Sequence, residues 1–504
     1  MNITDNTLEL IKIAQADPSE LVKTFVSPTS PVIGFQAYNL YPAVLEFTPV
    51  MTPLRNSIPR IEAGFATQAN WKSITDMNAG STRAGVSQGN RGAAITHTLQ
   101  ENFAAYRGYG LENWVLYEAD FASKEFIDVK ALAVKQLLMA TLVQEERLIL
   151  GGSTTLALGT TPTPTLVGST TGGTLAAATY SVIAVALNIQ AYLDVVGVNN
   201  GSTGGAFNGA TSKVPGQITK ANTDGSSDTF GGGSAQQSAS VTVVTSGTTS
   251  SIAATIAPVN GAVGYAWYVG PAGSETLNGV TSLASYVAKA ASVGGAQLAS
   301  ALPISDNSTS TLDFDGLLTQ AFKPGSNAYV SVQPNGVAGV GTPLTSDLAG
   351  GIVEFETAFV QFYNRYRLSP TKIYVSSQEL VNIARKVVTG QGAPLLSLTD
   401  GIDSTASITA GRRVGNYMNK VTGTLVPLIV HPNLPAGTVF FFSESLPYPM
   451  ANVANVVQMN MRRDYYQIEW PIRSRKYEYG VYADGVLQHF APFSMGIITN
   501  IGNG

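Results

Sequence analysis

Residues 119–150, ADFASKEFIDVKALAVKQLLMATLVQEERLIL, constrain this chain more than any other stretch. Phe126, Val129, Ala133, Leu137 and Ala140 recur at three- and four-residue steps, and a second apolar stripe runs through Ile127, Val134, Leu138 and Leu142. Two stripes leave little polar face between Ala131 and Val143, so the period predicts one long helix covered on most sides. Ser123 stands where an N-cap is needed, Glu125 falls in the first turn, and Gly151-Gly152 is a stop signal. At the α-helical rise the element would span roughly 40 Å. Its least-charged part is shorter than the ~20 apolar residues that cross a bilayer. The stretch reads as a strut, and the rest of the chain as what the strut holds.

The 504 residues exceed what one core of ~250–300 residues can organise, so more than one domain is expected. Only 12% of residues are charged, with Gly, Ser, Thr and Ala in their place. A net charge of −4 does not mark the whole chain as a nucleic-acid or anionic-membrane binder. The absence of cysteine excludes disulfides and thiolate metal sites. No basic n-region followed by an apolar h-region opens the chain, so no secretion leader is expected. No apolar run of membrane-spanning length appears, so no integral membrane protein is expected.

Residues 1–60 read as an arm. LELIKIA near the start has the look of a short helix, after which Pro18, Pro28, Pro31, Pro42, Pro49, Pro53 and Pro59 block helix and sheet interiors. Phe25, Phe35, Tyr38, Tyr41, Leu45 and Phe47 still punctuate it, and an extended apolar segment needs a surface, in its own domain or on a neighbour. Residues 61–115 read as a long β-hairpin: Phe65, Thr67, Ala69, Trp71 and Ser73 alternate on the way out, and Ile95, His97 and Leu99 on the return. The tip, NAGSTRAGVSQGNRG, carries Arg83 and Arg91. The spine helix is assigned to 116–152. From Ser153 to Thr345 only eleven charged residues occur, among short β-branched runs such as TYSVIAVAL, SVTVV and GAVGYAWYVG. Turn-rich spacers between such runs predict an antiparallel β-sandwich inserted over 153–345, with disorder competing in the Gly/Ser-rich residues 197–239.

Helical periodicity returns with Ile352, Phe355, Phe359, Phe362 and Tyr363 and stops before Pro370. KIYV is a buried-strand candidate, followed by the capping-box pattern Ser376-Ser-Gln-Glu379. VPLIV and TVFFF give two further strands, so 346–455 reads as an α+β domain. Residues 456–504 supply closing β runs and the most basic stretch, with Arg462, Arg463, Arg473, Arg475 and Lys476. His97, His431 and His489 are isolated, His431 reading as structural, and no HExxH, GxSxG or phosphate-loop lysine is present. Asp306, Asp313 and Asp315 have the chemistry for Ca²⁺, but a solvated loop is the stronger reading. Gly336, Gly339 and Gly341 lack a strand–helix frame for a dinucleotide and read as a flexible linker. No catalytic, metal or cofactor constellation emerges, and no enzyme is expected.

The order of parts resembles the HK97-fold major capsid proteins of tailed phages. PLRNSIPRIEAGFATQANWKSIT is similar to the arm entering that family's E-loop, residues 119–152 to its spine helix and terminator, and SPTKIYVSSQELVNIARKVV to the strand–helix step of its axial domain. PLIVHPNLPAGTVFFFSESL is similar to later axial-domain strands, and IEWPIRSRKYEYGVYADGVLQHFAPFSMGIITNI to the closing strands of its peripheral domain. Residues 153–345 depart from the plain pattern and resemble the immunoglobulin- or fibronectin-like domains that some phage capsid proteins carry. The resemblance implies an α+β, HK97-like capsid fold with an all-β sandwich insertion. It implies a virion shell of hexamers and pentamers, assembled in the host cytoplasm, that encloses double-stranded DNA without sequence-specific binding. Portal, and scaffold or decoration proteins, would be its partners, and no membrane is involved. Trp71, Arg83, Arg91, Arg462, Arg463, Arg473 and Arg475 are the residues expected at assembly contacts. Lys72 has no matching crosslinking partner. The alternatives are an encapsulin-like cellular shell, a tail or baseplate protein, and a polysaccharide-active enzyme with a β-sandwich module.

Overall fold

The computed structural model describes residues 51–503 apart from 63–64, 78–84, 93, 95–96, 124–127, 197–206, 208, 390–395, 399–407, 411–413 and 449–452. Residues 1–49 form one unit and 50–504 a second, and every described residue belongs to the second. The first fifty residues of the arm, LELIKIA included, lie outside the described residues, as do Arg83, Glu125, Phe126 and Ile127.

Helix α1 (Pro53–Ser57) and strand β1 (Arg60–Glu62) lead into β2 (Gln68–Met77) and β3 (His97–Ala105). Next come β4 (Arg107–Leu116), α2 (Tyr117–Ser123) and the long α3 (Val129–Gly151). The middle of the chain holds β5 (Thr165–Ser169), β6 (Thr179–Leu187), α4 (Ile189–Val196), β7 (Gln217–Ala221), β8 (Ser227–Gly231) and β9 (Val241–Val244). It continues with β10 (Ser251–Thr255), β11 (Gly264–Gly270), β12 (Thr276–Thr281) and β13 (Ser285–Ala288). Then follow α5 (Leu317–Phe322), β14 (Tyr329–Val332), α6 (Val353–Tyr366), β15 (Lys372–Val375), α7 (Ser377–Thr389), β16 (Leu396–Leu398) and β17 (Ile408–Ala410). The chain closes with β18 (Asn416–Met418), β19 (Leu425–Val430), β20 (Val439–Phe442), β21 (Val457–Glu469), β22 (Lys476–His489) and β23 (Gly496–Thr499).

The expected single helix over 119–150 is two helices. Asp128 is extended, at φ −76° and ψ 91°, and its carboxylate accepts the amides of Lys130 and Ala131, which makes it the N-cap of α3. The Ser123 hydroxyl donates back to Asp120 O, at the end of α2. The 23 residues of α3 span roughly 35 Å. The helix is covered on most sides: within Val129–Gly151 only Ala131 and Lys135 are exposed, Ala133, Leu137, Thr141 and Glu145 are buried at four-residue steps, and burial is densest from Glu145 onward. Val115 on β4 and Tyr479 on β22 pack against Ala133, so one sheet covers one face.

That sheet has the order β1–β21–β22–β4, with β1 parallel to β21 and the other pairs antiparallel. The hairpin is accordingly shorter than 61–115. Only β2 and β3 pair with each other, from Gln68 opposite Ala105 to Met77 opposite His97, whereas β4 leaves to pair along β22. The change of sheet follows from β4's own pattern, whose Tyr109 and Val115 face α3 and have no place on the hairpin. The hairpin leans on the rest of the chain: Trp71 Nε1 donates to His489 O, Ile74 N to Phe490 O, and Asn327 Nδ2 to Thr75 O.

Two sheets, β13–β10–β5 and β12–β11–β6–β9, face each other through Ile252, Ala254 and Ala288 on one side and Val182, Tyr265, Trp267 and Val269 on the other. All of β11 is buried because its second face, Ala266 and Tyr268, is covered as well, by Ala191 and Val195 of α4. Trp267 stacks on Tyr286 at 5.9 Å, and Gly279 leaves the room, since a Cβ there would stand 2.6 Å from that ring. Strand β14 does not extend this pair of sheets; it joins β14–β23–β20–β15–β19–β18.

The largest core lies under that six-stranded sheet. The apolar residues of α6 step by three and four, so Phe355, Phe359 and Phe362 share one face and meet Phe441 of β20 with ring centroids 5.4, 5.9 and 6.1 Å away. KIYV is a strand between β19 and β20, with Ile373, Tyr374 and Val375 buried. Ser376 Oγ caps α7 at Glu379 N, but Glu379 does not reciprocate; its carboxylate accepts Gly437 N and Asn382 Nδ2 instead. Phe441→Ala should cost about 3–5 kcal/mol in urea-induced unfolding. Val381→Ala, on the outer face of α7, should stay within about 0.5 kcal/mol of the parent.

Candidate functional site

Two features stand out: a buried cluster of charges at the end of α3, and an exposed aromatic and arginine-bearing corner at the far end of the β1–β21–β22–β4 sheet.

The cluster is built on three consecutive residues of α3. The Glu146 carboxylate, fully buried, accepts Leu54 N at 2.9 Å, Arg55 N at 2.7 Å and His431 Nε2 at 2.7 Å. His431 Nδ1 accepts Asn433 N, which leaves the ring proton on Nε2 and aims it at Glu146. Glu145, also fully buried, accepts Arg60 Nη1 at 2.6 Å, Arg55 Nε at 3.3 Å and the hydroxyls of Tyr109 and Tyr465. Arg147 turns the other way and pairs with Asp194 of α4 at 2.7 Å. Three neighbours in sequence, about 100° apart around the helix, thus hold α1, the β4–β21 sheet, the turn after β19 and the inserted segment.

Electrostatics fix the protonation of this cluster. Burial, then the negative charge of Glu145, pushes the hydroxyls of Tyr109 and Tyr465 well up, so both remain donors. Burial alone would lower Arg60, but hydrogen bonds to Asp464 and Glu145 and the charge of Glu145 outweigh it and raise its pKa. His431 is structural, as its sequence position indicated. The carboxylates read as a solvated loop are instead stitches at the root of the insertion. Asp315 accepts Thr154 N and Thr155 N, and Asp306 accepts Gly159 N. Asp313 is half-buried beside them, and loss of solvation raises its pKa to about 6.

The residues expected at assembly contacts fall in separate places. Trp71 spends its indole N–H on its own subunit, Arg91 is exposed, and Arg83 lies outside the described residues. Arg462 pairs with Asp484 at 2.9 Å, and Arg463 lies over the ring of Tyr466 at 4.0 Å. Arg473 and Arg475 do come together. With Tyr117, Ile472, Ser474, Lys476 and Tyr477 they line a hollow of about 400 Å³, and Arg475 reaches Glu118 at 2.8 Å. Around it Trp114 is 55%, Phe121 71% and Ile472 65% exposed. On the hairpin, Leu99 (53%) and Phe103 (75%) face outward on either side of a Lys72–Glu101 ion pair.

The sequence reasoning passed over Glu145, Glu146, Arg147, Arg55, Arg60, Tyr109 and Tyr465. A signal was present: EER near the C-terminus of an apolar helix sets two acids where the helix dipole disfavours them, in a chain poor in charge.

No family model matches this chain, and no curated protein does. Among solved structures it is similar to the capsid asymmetric unit of cyanophage A-1(L), at 9% identity over 92% of this chain and 97% of that one, with a TM-score of 0.40. It is similar to the capsid of the native GTA particle at 9% identity over 97% and 99%, with a TM-score of 0.40. An encapsulin from Synechococcus elongatus matches at 15% identity over 37% of this chain and 57% of that one, with a TM-score of 0.20.

Two outcomes test the cluster. Glu146→Ala strands two backbone amides and a histidine N–H in a dry site and should cost about 3–5 kcal/mol, with cleavage by protease appearing within 51–60. The second concerns pH. Folded Asp313 holds its proton to about 6 and the unfolded group only to 3.8, so the folded state binds more protons between these values. Its contribution to stability therefore falls as pH rises through that window. Asp313→Asn should match the parent near pH 4 and exceed it by about 1–2 kcal/mol at pH 8 in urea titrations.

Proposed function

We propose that this chain is the major capsid protein of a tailed phage and builds the icosahedral head shell around double-stranded DNA. In this reading it adopts the HK97-like fold: β2–β3 is the E-loop, α3 the spine, and the four-stranded sheet with α3 the peripheral domain. The six-stranded sheet with α6 and α7 is the axial domain, and the β5–β13 sandwich an insertion after the spine.

The observation that carries the proposal is that one subunit bares large apolar side chains on two separate elements. The hairpin offers Leu99 and Phe103, and the sheet corner Trp114, Phe121 and Ile472. Neither face is needed inside its own subunit, because both elements are already anchored on their opposite sides. A protein with two unlike sticky surfaces makes heterologous contacts, which close into rings or shells. Burying such surfaces at ~25 cal/mol per Å² supplies the drive. The order of parts along the chain supports the same reading. Portal, scaffold or decoration proteins and the packaged DNA are then its partners, and the virion its location.

Electron micrographs of the expressed protein should show closed shells tens of nanometres across, with DNA rather than an enzyme cargo inside those recovered from infected cells. A stable monomer at high concentration would refute the reading. Trp114→Ser with Phe121→Ser should lower the yield of shells at least about tenfold, with unfolding by urea unchanged, since both side chains are exposed in the subunit.

A further inference from the structure

We infer that the β-sandwich is a brace seated on the body through two separate footings and not a module hung from its two linkers, and that Asn500 is the second footing. An inserted domain needs contact with its host only where the chain enters and leaves. Here the entry and exit are stitched together in the expected way, by Gly316 N to Gly152 O and Ser310 N to Ser153 O. Helix α4 adds the Arg147–Asp194 pair and packs Ile189 against Gly151 so closely that a Cβ would stand 2.0 Å from the isoleucine methyl.

The same end of the sandwich has a second footing, made by residues far away in sequence. Asn500, just after β23, is buried and left-handed at φ 60°. Its side chain accepts Ala284 N at 2.8 Å, from the turn between β12 and β13, and donates to Gln333 O and Asn335 Oδ1. Asn335 in turn donates to Ile256 O, just past β10. Three of the amide's four hydrogen-bonding positions are thus filled, one by the sandwich and two by the segment after β14, which itself reaches the sandwich through Asn335.

The Gly336–Gly341 segment, read from sequence as a flexible linker, is a wedge. Gly341 sits with its Cα side against Gly502 and Leu283, and Gly339 against Val287, both glycines at positive φ. A third tie, Asn260 Nδ2 to Phe322 O, fixes the sandwich to α5. Held at the end of α3 and at β23, the sandwich spans the two sheets of the body and sets their relative position. This role is independent of whether the subunit builds a shell.

The test is calorimetry and hydrogen exchange on the full-length chain. The wild type should unfold in one transition, sandwich and body together. Asn500→Gly keeps the left-handed backbone and removes only the side chain, so folding is preserved. Amide exchange should then quicken by at least about tenfold in Ser285–Ala288 and Ser251–Thr255, more than two hundred residues away in sequence. Asn260→Ala, which leaves the C-terminal strand untouched, should act in the same direction. Two separate wild-type transitions would overturn the inference, as would faster exchange in Asn500→Gly confined to residues 496–503.

Discussion

The fold depends on carboxylates buried in the last turns of α3. Moving two neighbouring glutamates out of water is costly, and a buried ion pair often does no better than an apolar contact of equal size. What it does better is specify. Glu146 takes two successive backbone amides of α1 and a histidine proton, and only one placement of α1 and of the turn after β19 satisfies all three. Glu145 does the same for β1, β4 and β21 through Arg60, Tyr109 and Tyr465. Apolar burial brings these elements together without choosing their angles; the acceptors choose them. The large phenylalanine core beneath β20 supplies the complementary part, mass without direction.

What sequence showed and hid follows from the same division. Elements whose determinants are local were legible. KIYV is a strand, Ser376 caps α7, and GYAWYVG is the central strand of the inserted sheet. The start of α3 was missed although its determinant is local too, because Ser123 and Asp128 both satisfy the capping pattern, and composition does not say which side chain turns onto its own amides. The return of the hairpin was extended to 115 because alternation continues through Tyr106 into β4, and a period of two does not record which partner a strand takes. The charge cluster was invisible for a different reason. Its members come from positions 54–60, 109, 145–147, 431 and 465, and no window of sequence contains a contact between them.

The corner around Arg473 was partly legible. The basic stretch was noted, and within it Arg462 pairs with Asp484 and Arg475 with Glu118, both inside the same chain. Its apolar half was not seen, because Trp114, Phe121 and Ile472 belong to a strand, a helix and a loop that sequence alone does not bring side by side.

Charge is scarce in this chain, with 29 cations and 33 acids among 504 residues, and where it is spent bears on the shell proposed above. Arg55, Arg60, Glu145, Glu146, Arg147, Asp306 and Asp315 are all committed to internal stitching. The inserted residues 153–345 hold only eleven charges among Gly, Ser, Thr, Val and aromatic residues. A surface so composed loses little hydration free energy when it is covered, and charge depletion at the centre of the contact is what separates an interface from ordinary surface. Directing ionic interactions inward fixes the shape of the chain, and in the proposed shell it would also lower the cost of packing one copy against the next.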